Sequence, residues 1–380
     1  MDIKQFGSDM PGSLTPIGRG EHAFTPAPLP PEWPFEERLW PLLVAAKQQM
    51  GILEGTGRTL PNPGILLRPQ ENREAIQSSR LEGTYATPRE LLLFEIDAAE
   101  KSTENRVADW LEVRNCRRAL EHGTTSELPL CLRLIREMHG ILLTAVRGRD
   151  QAPGEFRKIQ VGIGVNHRFV PPPPERLHDC LARFETFLNS QSAYDPLIDC
   201  FLAHYQFEAI HPFIDGNGRV GRMLLVLMLQ RKCEFTKPWL YLSEYFERNR
   251  EEYIQRLFEV STRNAWGAWI EFCLQATIQQ AQETIVRCDQ LRRLREDFLQ
   301  RITATGGHIR LNRIIEELFN NSLIRVTDIR NLLQVSYPTA LADAERLVAA
   351  GILQPVDWVP VKSYWAPEIF QITYFGIDND

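Results

Sequence analysis

Residues 211–222 constrain the fold of this chain more than any other stretch. They hold a histidine, an aspartate, a Gly-Asn-Gly turn and two arginines, and an apolar run follows at once over residues 223–229. Such a run is typical of a helix that is buried on all sides. The segment before the motif starts at Asp195 and Pro196, a pair that favours a helix start. The sequence therefore predicts a polar loop held between two core helices.

The composition of this loop predicts a phosphate site. Amides that begin a helix have no partner within it, so those of Gly216, Asn217 and Gly218 can bind an anion with help from the helix dipole. Arg219 and Arg222 lie three positions apart on one helix face and can bind further phosphates. A triphosphate satisfies more of these groups than a monophosphate does.

Two more side chains of the loop suit chemistry beside those phosphates. Asp215 can give one carboxylate oxygen to a magnesium ion whose other ligands come from the phosphates. His211 can take the proton of an incoming hydroxyl group. Together they predict a base next to a triphosphate and its metal ion.

Two other interpretations explain fewer of these residues. Gly216, Gly218 and Gly221 have the spacing of a dinucleotide-binding turn, but that motif follows a strand, and here the preceding segment is helical. A tight connection between helices would need only the glycines. It would not account for a histidine, an aspartate and two arginines in the same loop.

Residues 211–222 resemble the full signature of the Fic domain, H-x-F-x-D-G-N-G-R-x-x-R, and depart from it at no position. Members of that family typically transfer AMP from ATP to a hydroxyl side chain of a protein, so the resemblance implies the same activity with ATP and Mg²⁺. It implies His211 as the general base and Asp215 as the magnesium ligand. It also implies that Asn217 and Arg219 contact the phosphates, and that the γ-phosphate binds the second arginine of the motif, Arg222.

An adenine contact is predicted downstream of the loop. Tyr245, Asn249 and Tyr253 recur every four residues on one helical face that can border a base, although an aromatic stripe at this spacing is more often core. Family members often carry two tyrosines where this chain has Tyr253 and Ile254. We expect the nucleotide contacts to come from Glu82, Gly216, Asn217, Gly218, Arg219, Val220, Gly221, Arg222 and Tyr253.

A helix predicted over about 71–81 ends at Glu82 and Gly83, the latter a typical C-terminal stop. A helix dipole disfavours a carboxylate in the last turn, so Glu82 is either solvated or paired with a cation. Ser78 lies one turn earlier on the same face. Ser78 and Glu82-Gly83 resemble the family's inhibitory motif, [S/T]-x-x-x-E-[G/N]. The resemblance implies that Glu82 pairs with Arg222 and blocks productive ATP binding, as in the N-terminally self-inhibited type.

Residues 158–170 have the pattern of a short hairpin. Apolar and polar or small residues alternate over 158–165, the period of a strand, and 168–170 reads as the returning strand. Prolines at 171–174 end it. The family's flap occupies this place, so we expect a target protein to add a strand to the open edge and present its hydroxyl to His211. A surface hairpin without function is the alternative.

The order of elements predicts a mainly α protein in three parts. They are an N-terminal arm and inhibitory helix region over 1–100, a Fic-like helical core with flap and linking helix over 101–302, and a winged helix-turn-helix domain over 303–380. The first 34 residues are rich in proline and glycine and predict an extended surface arm.

The linking helix, predicted over about 266–302, carries an apolar seam that steps by four and three residues. Such a seam predicts pairing with a second subunit, hence a homodimer, or docking of the next domain. The seam consists of Leu274, Ile278, Ala281, Ile285 and Cys288.

The charge of the predicted winged helix argues against a simple DNA-binding role. Residues 304–380 carry six lysines and arginines against nine aspartates and glutamates. The second helix of the helix-turn-helix pair, predicted over 337–349, offers only Arg346 near its end for base contacts. A structural or protein-binding role is preferred, and nucleic acid is not an expected partner. A nucleotide-sensing transcriptional regulator is the non-enzymatic alternative.

The whole chain has 380 residues, a net charge of −6 and seven cysteines without C-x-x-C spacing. These features predict a cytoplasmic protein with reduced thiols and no attraction to anionic membranes. The apolar run at 223–229 is too short to span a bilayer, and no signal peptide is apparent. The leading prediction is an adenylyltransferase that modifies a protein Ser, Thr or Tyr, itself included. The enzymatic alternative is the reverse hydrolysis, with Glu82 positioning water.

Overall fold

The computed structural model describes residues 1–18, 20–60, 62–88, 90, 104–144, 152–304, 309–356 and 361–377, with only the backbone at 104–108. Within these ranges the chain is mainly α-helical, with a two-stranded sheet near its start and a three-stranded sheet near its end. The predicted domain boundary at residue 100 lies outside the described residues. No helix in the described ranges is long and apolar enough to cross a bilayer.

The helices are α1 Trp40–Arg58, α2 Gly64–Arg80, α3 Glu104–Thr125, α4 Leu132–Leu142, α5 Pro174–Asn189, α6 Pro196–Ile210, α7 Asn217–Lys232, α8 Ser243–Arg248, α9 Arg250–Arg263, α10 Trp266–Ala304, α11 Arg310–Asn320, α12 Val326–Leu333, α13 Tyr337–Ala349 and α14 Pro367–Tyr374. The strands are β1 Gly12–Gly18, β2 Glu21–Pro26, β3 Leu323–Arg325, β4 Gln354–Val356 and β5 Ser363–Trp365.

Helices α6 and α7 form the centre of the core and pack against each other. Asp195 caps α6, since its side chain accepts a hydrogen bond from the amide of Leu197. Residues 223–229 of α7 are all buried. The prediction of a loop between two core helices is therefore confirmed, and this rigid pair fixes both ends of the loop.

The N-terminal arm is not simply extended, as was predicted from its proline content. Strands β1 and β2 pair as an antiparallel hairpin, with a register shift between Pro16 and Gly18. Phe24 is fully buried, and its amide donates to the carbonyl of Val170 at 2.8 Å. Prolines are tolerated because the strand lies at an edge, where an absent amide breaks no ladder. The hairpin therefore packs beside the predicted flap.

The seam of α10 faces the chain's own core. Leu274, Ala281 and Cys288 are buried, and α10 packs along α1. An apolar stripe has the same spacing whether its partner is a second subunit or the same chain, so the sequence could not separate the two. The homodimer stays a prediction, and this seam does not support it.

Two helical predictions need correction. Helix α2 begins at Gly64 rather than near residue 71, and it includes Pro69. The single helix that the spacing of Tyr245, Asn249 and Tyr253 predicts is two helices, because Asn249 leaves the helical region with φ −116° and ψ 37°. Both differences lie in local backbone geometry that apolar spacing does not report.

We call residues 309–356 and 361–377 the C-terminal unit. Its elements run α11, β3, α12, α13, β4, β5, with the sheet order β3-β5-β4, and the winged helix itself stays a prediction. Its apolar core continues into α10 through Phe298 and Ile302, and into α2 through Ile65. The predicted break after α10 lies partly at residues 305–308, outside the described residues.

Candidate functional site

The motif loop connects α6 to α7 and starts at His211. This residue ends α6 in the left-handed region, at φ 50°, and its amide donates to the carbonyl of Phe207 at 2.9 Å. Burial lowers the pKa of His211 to about 4, although the Glu82 carboxylate opposes this shift. Its Nδ1 atom is buried without a hydrogen-bond partner among the described residues. The imidazole is therefore neutral at pH 7 and able to accept a proton.

Asn217 closes the loop. Its Oδ1 accepts from the amide of Phe213 at 2.8 Å, and its Nδ2 donates to the carbonyl of the same residue at 2.9 Å. Both polar groups of the side chain are thus committed to the loop. The prediction that Asn217 contacts the phosphates is limited by this geometry to its backbone amide.

His139 of α4 packs against the loop and hydrogen-bonds to its backbone. Its Nε2 donates to the carbonyl of Asp215 at 3.0 Å, its Nδ1 accepts from the amide of Gly154 at 2.8 Å, and its ring stacks on Phe213 with centroids 3.7 Å apart. Burial lowers the pKa of His139 to about 4. These contacts fit the neutral tautomer and leave no ring nitrogen for catalysis.

Arg157 supports the other side of the loop, and sequence reasoning assigned it no role. Its guanidinium is buried and donates to the carbonyls of His211, Ile159 and Pro172. Its own amide donates to the carbonyl of Pro212 at 2.9 Å. One side chain thereby fixes the end of α6 to the segment that leads into the flap.

The start of α7 presents free amides. Helix α7 begins at Asn217 after Gly216, whose φ of 77° turns the chain into the helix. In the described part of the chain, no acceptor bonds the amides of Asn217, Gly218 and Arg219. These amides are the ones at which the sequence predicts anion binding, and that binding stays a prediction. Val220 and Gly221, also predicted nucleotide contacts, are buried in the first turn of α7.

The guanidinium of Arg222 is bound to the end of α2. Nη2 donates to Oε1 of Glu82 at 2.7 Å and to the carbonyl of Ser78 at 2.8 Å, while Nε donates to Oγ of Ser78 at 2.9 Å. Burial opposes ionisation of Glu82, but Arg222 outweighs it and lowers the pKa of the carboxyl. A Cβ atom on Gly218 would overlap Glu82 Oε1. The carboxylate therefore lies against Gly218 in the first turn of α7.

Arg219 has a different counterion, which sequence reasoning missed. Its Nη1 donates to Oε2 of Glu112 at 3.1 Å, and its Nη2 lies 3.7 Å from Oδ1 of Asp215. Glu112 and Arg219 are both buried. Glu112 lies on α3, more than a hundred positions from its partner, and only a buried glutamate near a motif arginine would have pointed to it.

A cavity of about 350 Å³ opens beside His211. Its wall is formed by Leu81, Glu82, Ile163, Gly164, Arg168, Phe169, Tyr205, Glu208, Ala209, His211, Gly218, Arg222, Arg250, Tyr253, Ile254, Leu257, Phe258 and Ser261. One end is charged, where Glu82 meets Arg222, and the other is apolar, where α9 faces the flap. Such a cavity suits a ligand with a phosphate end and a flat apolar end.

Of the three residues on the predicted adenine face, Tyr253 reaches the cavity wall. Its hydroxyl donates to Nε2 of His204 at 2.9 Å, and its ring stacks on Phe246. Tyr245 instead packs on Phe272, and Asn249 caps the carbonyl of Tyr245. Tyr245 and Asn249 are therefore not part of the cavity wall.

The predicted flap at 158–170 pairs only once, through the bridge between Ile163 and Phe169. A short 3-10 turn over Val165–His167 forms its tip. Arg168 fixes the tip to α9 through a 2.7 Å bond to Gln255. The regular hairpin that alternation predicts is therefore reduced to one bridge, but the segment does form one wall of the cavity.

The predicted magnesium ligand, Asp215, has a side chain that is 48% exposed. Its Oδ1 accepts from the amide of Gly216 at 2.6 Å. No group of three metal-ligating side chains converges anywhere in the described ranges. The site therefore fits a hard cation that takes one carboxylate from the protein and its other oxygens from phosphates and water.

Comparisons with known families match both halves of this site. Residues 40–125 match the Fic/DOC family N-terminal region, and residues 129–229 match the Fic/DOC family itself. The first match contains Ser78, Glu82 and Glu112, and the second contains the loop and both of its arginines.

Curated relatives resemble the same region. "Protein adenylyltransferase Fic" of Drosophila virilis is 41% identical over 107 residues, 28% of this chain and 21% of that protein. Its counterpart in Drosophila ananassae is 48% identical over 80 residues, 20% of this chain and 16% of that protein. This chain thus covers about a fifth or less of the length of these relatives.

Solved structures extend the likeness in fold. A Fic family protein from Desulfovibrio desulfuricans G20 superposes with a TM-score of 0.57 at 20% identity, covering 88% of this chain and 97% of that one. Fic-1 from C. elegans superposes with a TM-score of 0.52 at 22% identity, covering 65% and 74%. At these identities the likeness concerns the fold alone.

Proposed function

This chain belongs to the Fic/DOC family, and we propose that it transfers AMP from ATP to a hydroxyl side chain of a protein, under restraint by Glu82. One observation carries the proposal. The Glu82 carboxylate binds Arg222 at 2.7 Å and lies against Gly218 in the first turn of α7, in the wall of a cavity that His211 also lines. A protein carboxylate there stands where a phosphate would bind.

The phosphate chain of ATP binds at the start of α7. The amides of Asn217 and Gly218 donate to one phosphate, Arg219 donates to a second, and Arg222 donates to the γ-phosphate once Glu82 has left. Asp215 is the residue placed to hold Mg²⁺, which when bound neutralises phosphate charge. The apolar end of the cavity, at Tyr253, is the place for the adenine.

Transfer then needs a base and an in-line hydroxyl. Neutral His211 takes the proton of the target hydroxyl as its oxygen bonds to the α-phosphorus. The bond from that phosphorus to the bridging oxygen breaks, and pyrophosphate leaves with the electron pair. The low pKa of His211, about 4, keeps the imidazole neutral and ready at pH 7.

The target is expected to lie along the flap. The amides of residues 160–162 have no backbone partner among the described residues, and the side chain of Ile159 is 56% exposed. A peptide that adds to this edge by backbone pairing would present its hydroxyl near His211 with little demand on sequence.

The proposal is tested by transfer of label from α-labelled ATP to protein. We expect Glu82→Gly to label itself and proteins of a cognate lysate, while Glu82→Gly with His211→Ala labels about 10²–10⁴-fold less, because the general base is lost. Unchanged labelling without His211 would contradict its role as the base. Release of AMP from modified protein by the wild-type chain would instead identify the reverse hydrolysis.

A further inference from the structure

Glu112 is a buried carboxylate that the proposed reaction does not use. It is 5% exposed, and its Oε2 atom accepts two bonds, from Oγ1 of Thr84 at 2.7 Å and from Nη1 of Arg219 at 3.1 Å. Thr84 follows Glu82 by two positions, and its amide donates to the carbonyl of Ser79 at 3.0 Å. The turn that carries Glu82 is therefore connected to both arginines of the motif.

The contact occupies one end of the Arg219 guanidinium and leaves its Nε–Nη2 edge without a hydrogen bond among the described residues. Glu112 takes Nη1, while Nη2 lies 3.7 Å from Asp215 and Nε is buried without a partner among the described residues. The Nε and Nη2 hydrogens of a guanidinium point the same way and can bind two oxygens of one phosphate. That edge lies beside Asp215, the residue placed to hold the metal ion.

We propose that Glu112 is a positioning residue for the nucleotide. It holds Arg219 by Nη1, so that the Nε–Nη2 edge receives a phosphate beside Asp215. Thr84 fixes the Glu112 carboxylate, because its hydroxyl donates to the same oxygen. This inference rests on the proposed function, since the phosphate is taken to be that of ATP.

A buried carboxylate beside an arginine that binds phosphate can instead be a competing counterion, and this is the role proposed for Glu82 at Arg222. The two roles predict opposite changes in ATP affinity when the carboxylate is neutralised. A competitor must give way to phosphate, so its neutralisation strengthens ATP binding. A positioning contact keeps the guanidinium oriented for phosphate, so its loss weakens ATP binding and leaves a ligand without phosphates unaffected.

The test compares ATP with adenosine by titration calorimetry on the full chain carrying Glu82→Gly. Adding Glu112→Gln is expected to weaken ATP binding roughly tenfold, the scale of one hydrogen bond to a charged group, and to leave adenosine within about twofold. Thr84→Val should act in the same direction but less, about threefold. Because both act through one contact, the combined variant should bind ATP no worse than Glu112→Gln alone.

Asp343→Asn is the matched control. Asp343 is a fully buried carboxylate that binds Arg310 at 2.8 Å in the C-terminal unit, so this variant also neutralises a buried partner of an arginine. We expect it to change neither affinity. Thermal melts establish folding, and if Glu112→Gln does not fold, Thr84→Val decides, because it keeps the ion pair.

Unchanged or tighter ATP binding in a folded Glu112→Gln variant would overturn the positioning role, as would an equal loss for adenosine. Failure of the positioning role can be distinguished from failure of the proposed function. If Glu82→Gly binds ATP but transfers no label, the proposed function fails, and the ATP and adenosine comparison still decides the role of Glu112. If it binds no ATP, both fail.

Discussion

At the scale of single residues, the state of the site depends on which anion binds Arg222. The guanidinium is buried and already holds Ser78 and Glu82, so under the proposed function a γ-phosphate would gain this partner only by displacing the carboxylate. Displacement also clears the space above Gly218. Two anions that compete for one cation are coupled, and such coupling is typically about 1–3 kcal/mol.

We therefore expect Glu82→Gly to raise auto-labelling from α-labelled ATP at least tenfold, an estimate from about 1–3 kcal/mol of coupling. Adding Arg222→Ala should cancel the gain, because the clamp on the γ-phosphate is then absent with or without Glu82. Initial labelling rates of the single and double variants measure this. A double variant as fast as Glu82→Gly would show that Glu82 acts on another group and not on Arg222.

The protonation of His211 gives a second prediction. Burial lowers its pKa to about 4, and loss of Glu82 removes a charge that opposes this shift, so the pKa stays low in Glu82→Gly. At pH 5.5 the base should be largely neutral, whereas with an unperturbed pKa of about 6.5 only roughly a tenth would be. We expect kcat/KM at pH 5.5 to lie within about twofold of that at pH 7.5. A fall of about tenfold would mean that His211 is solvated in the active state.

At the scale of elements, the flap is an edge without a partner strand. Its one bridge joins Ile163 to Phe169, which both line the cavity, and the amides of residues 160–162 before it have no backbone partner among the described residues. If a target protein pairs with this edge, one lost amide should matter for transfer and not for nucleotide binding.

Val161→Pro is the corresponding variant. We expect transfer to a protein substrate to fall about tenfold, the scale of one backbone hydrogen bond plus local strain, because proline removes a donor from the edge. ATP affinity, measured by calorimetry, should stay unchanged. Val161→Ala keeps the amide and is the matched control. Equal transfer by both variants would show that targets do not bind through the backbone of the flap.

At the scale of the whole molecule, the C-terminal unit binds helix α2. Arg73 of α2 donates to the carbonyl of Thr373 at 2.7 Å, and Arg80 donates to the carbonyl of Ile377 at 3.0 Å. Arg80 lies only two positions before Glu82. The C-terminal unit thus helps to hold α2 in place, although none of its residues lines the cavity.

A chain ending before residue 304 should accordingly keep measurable transfer, because the groups proposed for the chemistry lie between Ser78 and Tyr253. Its melting temperature should fall, since Phe298 and Ile302 lose their apolar partners and become exposed. Circular dichroism and α-labelled ATP together test this. A truncated chain that is folded yet inert would show that the C-terminal unit takes part in catalysis or in an obligatory dimer.

The sequence by itself determined what is local. Residues 211–222 are contiguous, so the histidine, the free amides and both arginines come together once the two flanking helices form, and apolar spacing is enough to predict those helices. The same apolar spacing predicts two further helices, the one that carries Ser78 and the long α10. The order of helices and strands in the C-terminal unit also agrees with the apolar spacing of its sequence.

The tertiary structure decided which distant side chains complete the site. Glu112, Arg157 and His139 lie on other segments, and nothing in their local sequence distinguishes them from other buried polar residues. Tertiary contacts also reduced the flap to one bridge and turned the α10 seam toward α1. Periodicity reports that a face is buried, whereas the partner of that face depends on how the whole chain packs.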